Sequence, residues 1–338
     1  MRILVYGAGA IGSDLGGMLT LAGADVTLLA RGEQLKALQS AGVKVHRPDE
    51  PVQIIPVRAQ DASGAGRGYD LVCVTLKSMQ LTDVAADLVD RLAPTGSLLM
   101  IQNGLPWWYF ERHKSPWQGA RIGCLDPDGV LARTIPLDRV VGAVIYKPAT
   151  SIGPGEIFLP KVMPPKLIVG EVGDQLSERL ASIQACFIKA GLDTEATTDI
   201  RLAKWQKLMM NLIWNPLCAI SQGAPGHIVA LPQAQALVQQ LIEEGRRVAH
   251  TVNMPVQVDS AAEIERVRNN FTQSPSMLQD VRMGRPLEID AILNAVIEMA
   301  DLAHVPVPGL KIISGLLGVI NQGLIRNRQG YGPLPSKN

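Results

Sequence analysis

The chain has 338 residues, enough for two domains that each bury their own core. Its 32 basic residues nearly balance 31 acidic ones, which excludes the electrostatic footprint of a nucleic-acid or polyanion binder. The cysteines (Cys73, Cys124, Cys186, Cys218) are far apart, form no C-x-x-C and sit mostly in apolar runs, and the histidines are scattered, so neither a disulfide frame nor a metal site is expected.

Ile3 to Tyr6 reads as a buried parallel strand and runs into Gly7-Ala8-Gly9-Ala10-Ile11-Gly12, a G-x-G-x-x-G, with a helix pattern over Ala10 to Leu21. Gly7 lets the chain turn off the strand, Gly9 lets backbone approach a pyrophosphate, and Gly12 lets the helix pack closely. The N–H groups of Ala10, Ile11 and Gly12 open that helix and aim at the phosphates. A structural Gly-rich turn in another α/β domain would share the glycines. The strand and helix on either side make a dinucleotide site the reading.

The next strand, within Ala24 to Arg31, ends about 20 residues past the glycines, where an NAD-preferring site carries an Asp or Glu for the ribose 2′-hydroxyl. This chain has Arg31 there. A guanidinium grips a 2′-phosphate in a fork, so NADPH is expected rather than NADH. The plainer alternative is a solvated cation neutralised by Glu33. A strand that begins at Arg2 carries the expectation that no leader precedes it and that the location is cytoplasmic. Long apolar stretches such as Leu208 to Ile220 are interrupted and too short to span a bilayer, so no membrane partner is expected.

Further along come a helix over Gln34–Ala41, β segments at Val43–His46 and Val52–Arg58, and a loop over Asp61–Gly68. A strand follows from Tyr69 to Lys77, then an amphipathic helix over Leu81–Leu92 and a strand from Ser97 ending in the polar tip Gln102-Asn103-Gly104. Lys77 and that tip would emerge at the carboxyl edge of the sheet, where open α/β sheets bind ligands. Arg121 to Val172 is β-rich, with strands at Val140–Tyr146, Gly155–Leu159 and Lys166–Val169, and Leu176 to Gly323 is almost wholly helical. The expected architecture is α/β: an N-terminal Rossmann-type doubly wound sheet over residues 1–172, an all-helical C-terminal domain over 173–330, and a tail over 331–338.

In the helical part, Lys207, Asn211 and Asn215 recur every four residues along one face of an otherwise apolar helix. Buried amides and ammoniums need partners. Either they bond to backbone while the lysine snorkels, or they wall a cleft for a small polar substrate, with Lys204 a rival for the cation.

The glycine motif, the strand-end Lys77, Gln102-Asn103-Gly104, Trp205-x-Lys207-Leu208-x-x-Asn211-x-x-x-Asn215-Pro216-Leu217, Ser276-Met277-Leu278-Gln279-Asp280 and Glu288-Ile289-Asp290 together resemble the ketopantoate reductase (2-dehydropantoate 2-reductase) family over nearly the whole chain. That resemblance implies substrate and nicotinamide meeting in a cleft between a Rossmann domain and a helical one. It assigns Lys207, and not Lys204, as general acid. Asn211 and Asn215 would contact and orient the substrate, Glu288 bind its hydroxyl and Ser276 its carboxylate. Arg31 and Lys77 would contact the NADPH phosphates, and Asn103 would stand at the nicotinamide and substrate junction.

Read as chemistry alone, Glu288 is equally a solvated carboxylate at a helix start, and Ser276 an N-cap with Gln279 completing a capping box. Two features depart from the family pattern. Where the family often has a further substrate-binding Asn, ten residues past Asn215, this chain has Pro225. The run Trp107-Trp108-Tyr109-Phe110 after the polar tip is unusually aromatic, either a helix start packed on the sheet or a lid over the acyl pocket.

The leading expectation is therefore NADPH-dependent reduction of ketopantoate to pantoate, in pantothenate and coenzyme A synthesis. The alternatives are a paralogue acting on another 2-keto acid and a non-catalytic dinucleotide sensor. The chain would be a monomer, or a homodimer through an apolar face such as that of Ala234–Val252.

Overall fold

A computed structural model describes residues 1–161, 163–327 and 330. The expected tail over 331–338 lies outside them. The chain divides into two compact units, one of residues 1–102, 111–113 and 129–200, the other of 103–110, 114–128 and the chain from Arg201 onward.

In the first unit, β1 (Arg2–Tyr6), α1 (Ala10–Leu21), β2 (Asp25–Leu29) and α2 (Gly32–Ala41) form the opening βαβα run. Then come β3 (Val43–His46), β4 (Gln53–Ile55), β5 (Arg58–Gln60), β6 (Tyr69–Val74), α3 (Leu81–Asp90) and β7 (Leu92–Met100). The unit continues with α4 (Val130–Thr134), β8 (Val140–Tyr146), β9 (Thr150–Gly153), β10 (Glu156–Phe158), β11 (Lys166–Glu171), α5 (Glu178–Lys189) and β12 (Asp193–Thr197).

Among the described residues these strands make an eight-stranded sheet in the order β12-β11-β8-β7-β6-β1-β2-β5 and a four-stranded sheet in the order β4-β3-β10-β9. The large sheet is parallel except where β11 meets β8. Its strands carry Ile3, Val5, Leu28, Leu71, Cys73, Leu99 and Val141 into one apolar core. Such continuous apolar runs are what a sheet covered on both faces requires.

Two expectations are corrected here. Val52–Arg58 is not one segment: Pro56, which has no N–H for a ladder, separates β4 in the small sheet from β5 in the large one. The strand starting at Tyr69 stops at Val74, so Lys77 lies in the loop beyond it. The first compact unit runs on to Ile200, because β12 extends the sheet beside β11. As an edge strand, Asp193-Thr194-Glu195-Ala196-Thr197 shows no apolar pattern, which is why sequence periodicity passes over it.

The second unit is helical: α6 (Ile200–Ser221), α7 (Pro225–Val229), α8 (Pro232–Thr251), α9 (Ser260–Val267), α10 (Ser276–Arg282), α11 (Ala295–Leu302) and α12 (Pro308–Asn327). A π turn over Asp290–Asn294 leads into α11. Residues 121–128, expected to open a β-rich region, are turns and bends that belong to this unit. A core of leucines, isoleucines and methionines joins the helices, and the buried Glu244 carboxylate of α8 accepts from the N–H groups of Gly309 (3.0 Å) and Leu310 (2.9 Å) at the start of α12. This charge-assisted cap uses donors that every helix start leaves open.

The expectation that apolar stretches are too short to cross a membrane is corrected at α12, which passes by length and composition. Its Leu310, Ile313, Leu317 and Leu324 nevertheless recur at helical spacing and are buried in the core of the second unit.

Candidate active site

In the first unit the glycine turn has the geometry its residues require. Gly7 has φ +105°, and a Cβ on Gly12 would lie 1.9 Å from the Gly7 carbonyl oxygen, so no other residue fits there. A Cβ on Gly9 would meet nothing within 4 Å, and Gly9 is exposed. The face above Gly9 is thus open to an approaching phosphate, and α1 presents its first N–H groups there without a side-chain cap. The Thr75 hydroxyl donates to the Gly7 carbonyl and its N–H donates to Tyr6 (3.0 Å), which ties the loop carrying Lys77 to the turn. Gln102 Nε2 donates to the carbonyls of Val74 (2.8 Å) and Leu76 (3.2 Å), binding the exit of β7 to the same loop.

Arg31 precedes α2 in extended backbone and is exposed. Glu33 pairs with Lys36 at 2.8 Å, so the anticipated neutralisation of Arg31 by Glu33 does not occur. Among the described residues Arg31 has no ion-pair partner.

In the second unit α6 carries the polar stripe. Lys207 Nζ donates to Asn103 Oδ1 at 2.8 Å, which joins two residues expected at the site. Burial pushes the Lys207 amine down to about 8, against the upward pull of the Glu288 carboxylate. Lys204 is buried and is pushed down to about 7, by burial first and by the Lys207 charge second. Asn211 is half-buried and has no protein hydrogen-bond partner among the described residues.

Asn103 is held in place by a feature that sequence reading missed. Gly104 has φ +75°, and a Cβ on it would sit 2.1 Å from the Ala291 carbonyl oxygen. Leu105 N–H donates to that same carbonyl at 2.9 Å. Ala291 lies in the π turn, where the wider winding sends backbone carbonyls outward from the usual ladder. Glu288, buried, lies just before the turn, so the turn locates both Glu288 and Asn103. The available signal was the Asn103-Gly104 pair, a dipeptide suited to positive φ.

Asn215 is buried, and its Oδ1 accepts from Ser276 Oγ (3.1 Å) and Met277 N–H (3.0 Å). It therefore caps α10 from a neighbouring helix. Ser276 is not the N-cap: Pro275 holds that position with no side-chain cap, Gln279 turns to the Ser274 carbonyl, and Ser276 is exposed. The capping-box reading of Ser276 is corrected accordingly.

Trp107 to Phe110 form turns rather than a helix and are buried. Tyr109 and Phe110 join the core of the helical unit, Trp205 Nε1 donates to Tyr109 Oη at 2.7 Å, and buried Arg201 donates to the Tyr109 carbonyl at 2.8 Å while lying over the Trp108 ring. The run anchors the segment after Asn103 to α6, which corrects both the helix-start and the lid readings. Pro225 is buried at the first position of α7, where its missing N–H costs nothing, and supplies no amide. Among the described residues no group of three or more His, Cys, Asp or Glu is arranged to hold a metal ion.

Residues 3–173 match the family model for ketopantoate reductase PanE/ApbA, and residues 199–321 match its C-terminal counterpart. The chain is 33% identical over 320 residues to a 2-dehydropantoate 2-reductase of Mesorhizobium japonicum, covering 94% of this chain and 97% of that one. Among solved structures, one assigned to the ketopantoate reductases, from Ralstonia solanacearum MolK2, superposes with a TM-score of 0.87 at 34% identity, covering 96% of this chain and 98% of that one. A 2-dehydropantoate 2-reductase from Geobacter metallireducens superposes with a TM-score of 0.80 at 26% identity, covering 94% and 99%. The chain belongs to the ketopantoate reductase family and is an oxidoreductase acting on CH–OH and C=O groups.

Proposed function

We propose that this protein reduces ketopantoate to pantoate with NADPH, in the synthesis of pantothenate and coenzyme A. The observation that carries the reading is the half-buried, bonded pair Lys207–Asn103, whose lysine feels the charge of the buried Glu288 carboxylate in the helical unit. NADPH, bound at the glycine turn with Arg31 and Lys77 toward its phosphates, supplies the hydride. Lys207 stabilises negative charge developing on the keto oxygen and delivers the proton. Asn103 accepts from the Lys207 ammonium and so orients it for the substrate. Asn211 offers the substrate its unpartnered amide. Asn215 positions Ser276, whose hydroxyl binds the substrate carboxylate. Glu288 would repel that carboxylate and so faces the hydroxyl-bearing end.

Pro225, in place of an amide, favours a second reading in which a different 2-keto acid is the preferred substrate. The complete set Lys207, Asn211, Asn215 and Glu288 has no use in a dinucleotide sensor. Following NADPH absorbance with ketopantoate, pyruvate and 2-ketoisovalerate in parallel decides among them. The first reading expects kcat/KM for ketopantoate to exceed the others by a factor of ten or more, roughly the value of one buried polar contact. A preference for another acid supports the second reading, and NADPH binding without any turnover supports the sensor.

A further inference from the structure

Gln34 has no role in the reaction just proposed, yet its side chain reaches the glycine turn. It stands in the first turn of α2, shortly after Arg31, and is half-buried. Its Nε2 donates to the Ala8 carbonyl at 2.7 Å and to Ser13 Oγ at 3.3 Å, and that hydroxyl itself donates to the Ala8 carbonyl at 3.1 Å. On its other side, Gln34 Oε1 accepts from the Gly155 N–H at 2.9 Å, in the turn between β9 and β10 of the small sheet. Gly155 has φ +71°, and a Cβ on it would lie 3.0 Å from Ala37 Cβ, so this turn sits tightly against α2. One side chain thus bridges the glycine turn and the small sheet. An amide suits that bridge because it donates on one side and accepts on the other, whereas a carboxylate lacks the donor and a lysine the acceptor.

The Ala8 carbonyl matters because of what shares its peptide. In a planar trans peptide the C=O and the N–H that follows it point in opposite directions. Two donors that draw the Ala8 carbonyl inward therefore turn the Gly9 N–H outward, onto the exposed face where a Cβ would meet nothing within 4 Å. The neighbouring carbonyls are occupied from the protein side as well: Gly7 by the Thr75 hydroxyl, and Gly9 by the Ser13 N–H at 2.8 Å. Gly9, lacking a Cβ, offers little resistance to rotation of the Ala8–Gly9 peptide. The orientation of that peptide thus depends on Gln34 and Ser13. Without them the negative end of the Ala8 carbonyl is free to turn toward the open face and oppose an incoming phosphate.

We propose that Gln34 is a positioning residue of the coenzyme site: by holding the Ala8 carbonyl, it keeps the Gly9 N–H aimed at the pyrophosphate of the bound dinucleotide. This rests on the reading that a nicotinamide dinucleotide binds at the glycine turn. The small sheet thereby takes part in coenzyme binding, since its β9–β10 turn orients the Gln34 amide. Gln34 serves the pyrophosphate, which NADPH and NADH share. Arg31 serves the 2′-phosphate, which only NADPH carries.

Direct binding of NADPH and of NADH to the substrate-free protein, followed by quenching of tryptophan fluorescence, tests this with Gln34→Met, an apolar side chain of similar length. The Kd for both coenzymes should rise by the same factor, about tenfold, as expected for a misdirected donor to a charged group. In turnover, KM for NADPH should rise by a similar factor while kcat stays within about twofold, because the lost contact holds ground state and transition state alike. A purely structural role would lower the denaturant midpoint and leave both Kd values of the folded protein unchanged. A folded Gln34→Met protein with both Kd values within about twofold of the wild type, or one weakened toward NADPH alone, overturns the proposal. If circular dichroism shows that this variant does not fold, Ser13→Ala takes its place. It removes the other donor to the same carbonyl and should weaken both coenzymes by about threefold, and unchanged Kd values there overturn the proposal. If the wild type binds neither coenzyme, the dinucleotide reading fails, and this proposal with it.

Discussion

Lys207 donates to Asn103 across 104 residues of sequence, at 2.8 Å, inside a single compact unit. The loop after β7 thus leaves the sheet unit to orient a lysine on α6. Losing the Asn103 carbonyl should leave the ammonium free to rotate while keeping its charge. Asn103→Ala is expected to lower kcat about 10- to 100-fold with a smaller change in KM, as read by steady-state NADPH oxidation.

The depressed Lys207 amine sets a pH dependence. It must be protonated to act as acid, and it loses its proton near pH 8 rather than in the usual lysine range. The kcat for ketopantoate reduction should therefore fall as pH rises through about 8, while pantoate oxidation should rise over the same window. Rate profiles from pH 6 to 10 in both directions check this. A flat reduction profile would remove Lys207 from the role of acid.

Arg31 faces solvent with no carboxylate beside it, whereas Glu33 is occupied by Lys36. Arg31→Glu is expected to raise KM for NADPH about 100-fold, through loss of a bidentate phosphate contact and added repulsion, and to leave KM for NADH within a few-fold. Equal effects on the two coenzymes would place the 2′-phosphate elsewhere.

Asn211 and Asn215 look alike in sequence but predict different outcomes. Asn215 accepts from the Met277 N–H that starts α10, so Asn215→Ala should destabilise the protein by about 1–2 kcal/mol besides weakening substrate binding. Asn211 bonds to nothing described in the protein, so Asn211→Ala should change KM or kcat with little effect on the denaturant midpoint. Chemical denaturation of the two variants, alongside kinetics, separates the cap from the contact.

Gly104→Ala forces a Cβ against the Ala291 carbonyl at a positive φ. A loss of about 1–3 kcal/mol of stability is expected, with Asn103 displaced from Lys207 and kcat reduced in proportion. Denaturation and turnover of the same preparation measure both.

Much of this was legible in the chain itself. Gly7, Gly9 and Gly12 sit in short-range geometry that local sequence determines, and the four-residue spacing from Lys207 to Asn215 follows from helical winding alone. What remained hidden depends on packing between distant segments. Neither the cap that Asn215 gives α10 nor the seat of Gly104 on the π turn leaves a local pattern, because each partner lies over 60 residues away. The edge strand β12 was unreadable for a different reason: a strand with one unpaired side need not be apolar. The aromatic run after Asn103 was visible but misread, since burial against α6 is fixed by Trp205 and Arg201 rather than by its own pattern.

The central claim is that Lys207 protonates a keto acid reduced by NADPH on this chain. Its most direct test is NADPH oxidation with ketopantoate, comparing the wild type with Lys207→Ala. The account predicts rapid, ketopantoate-dependent oxidation that falls by a factor of about 10²–10⁴ in the variant while NADPH binding is unchanged. A variant that turns over as fast as the wild type would contradict it.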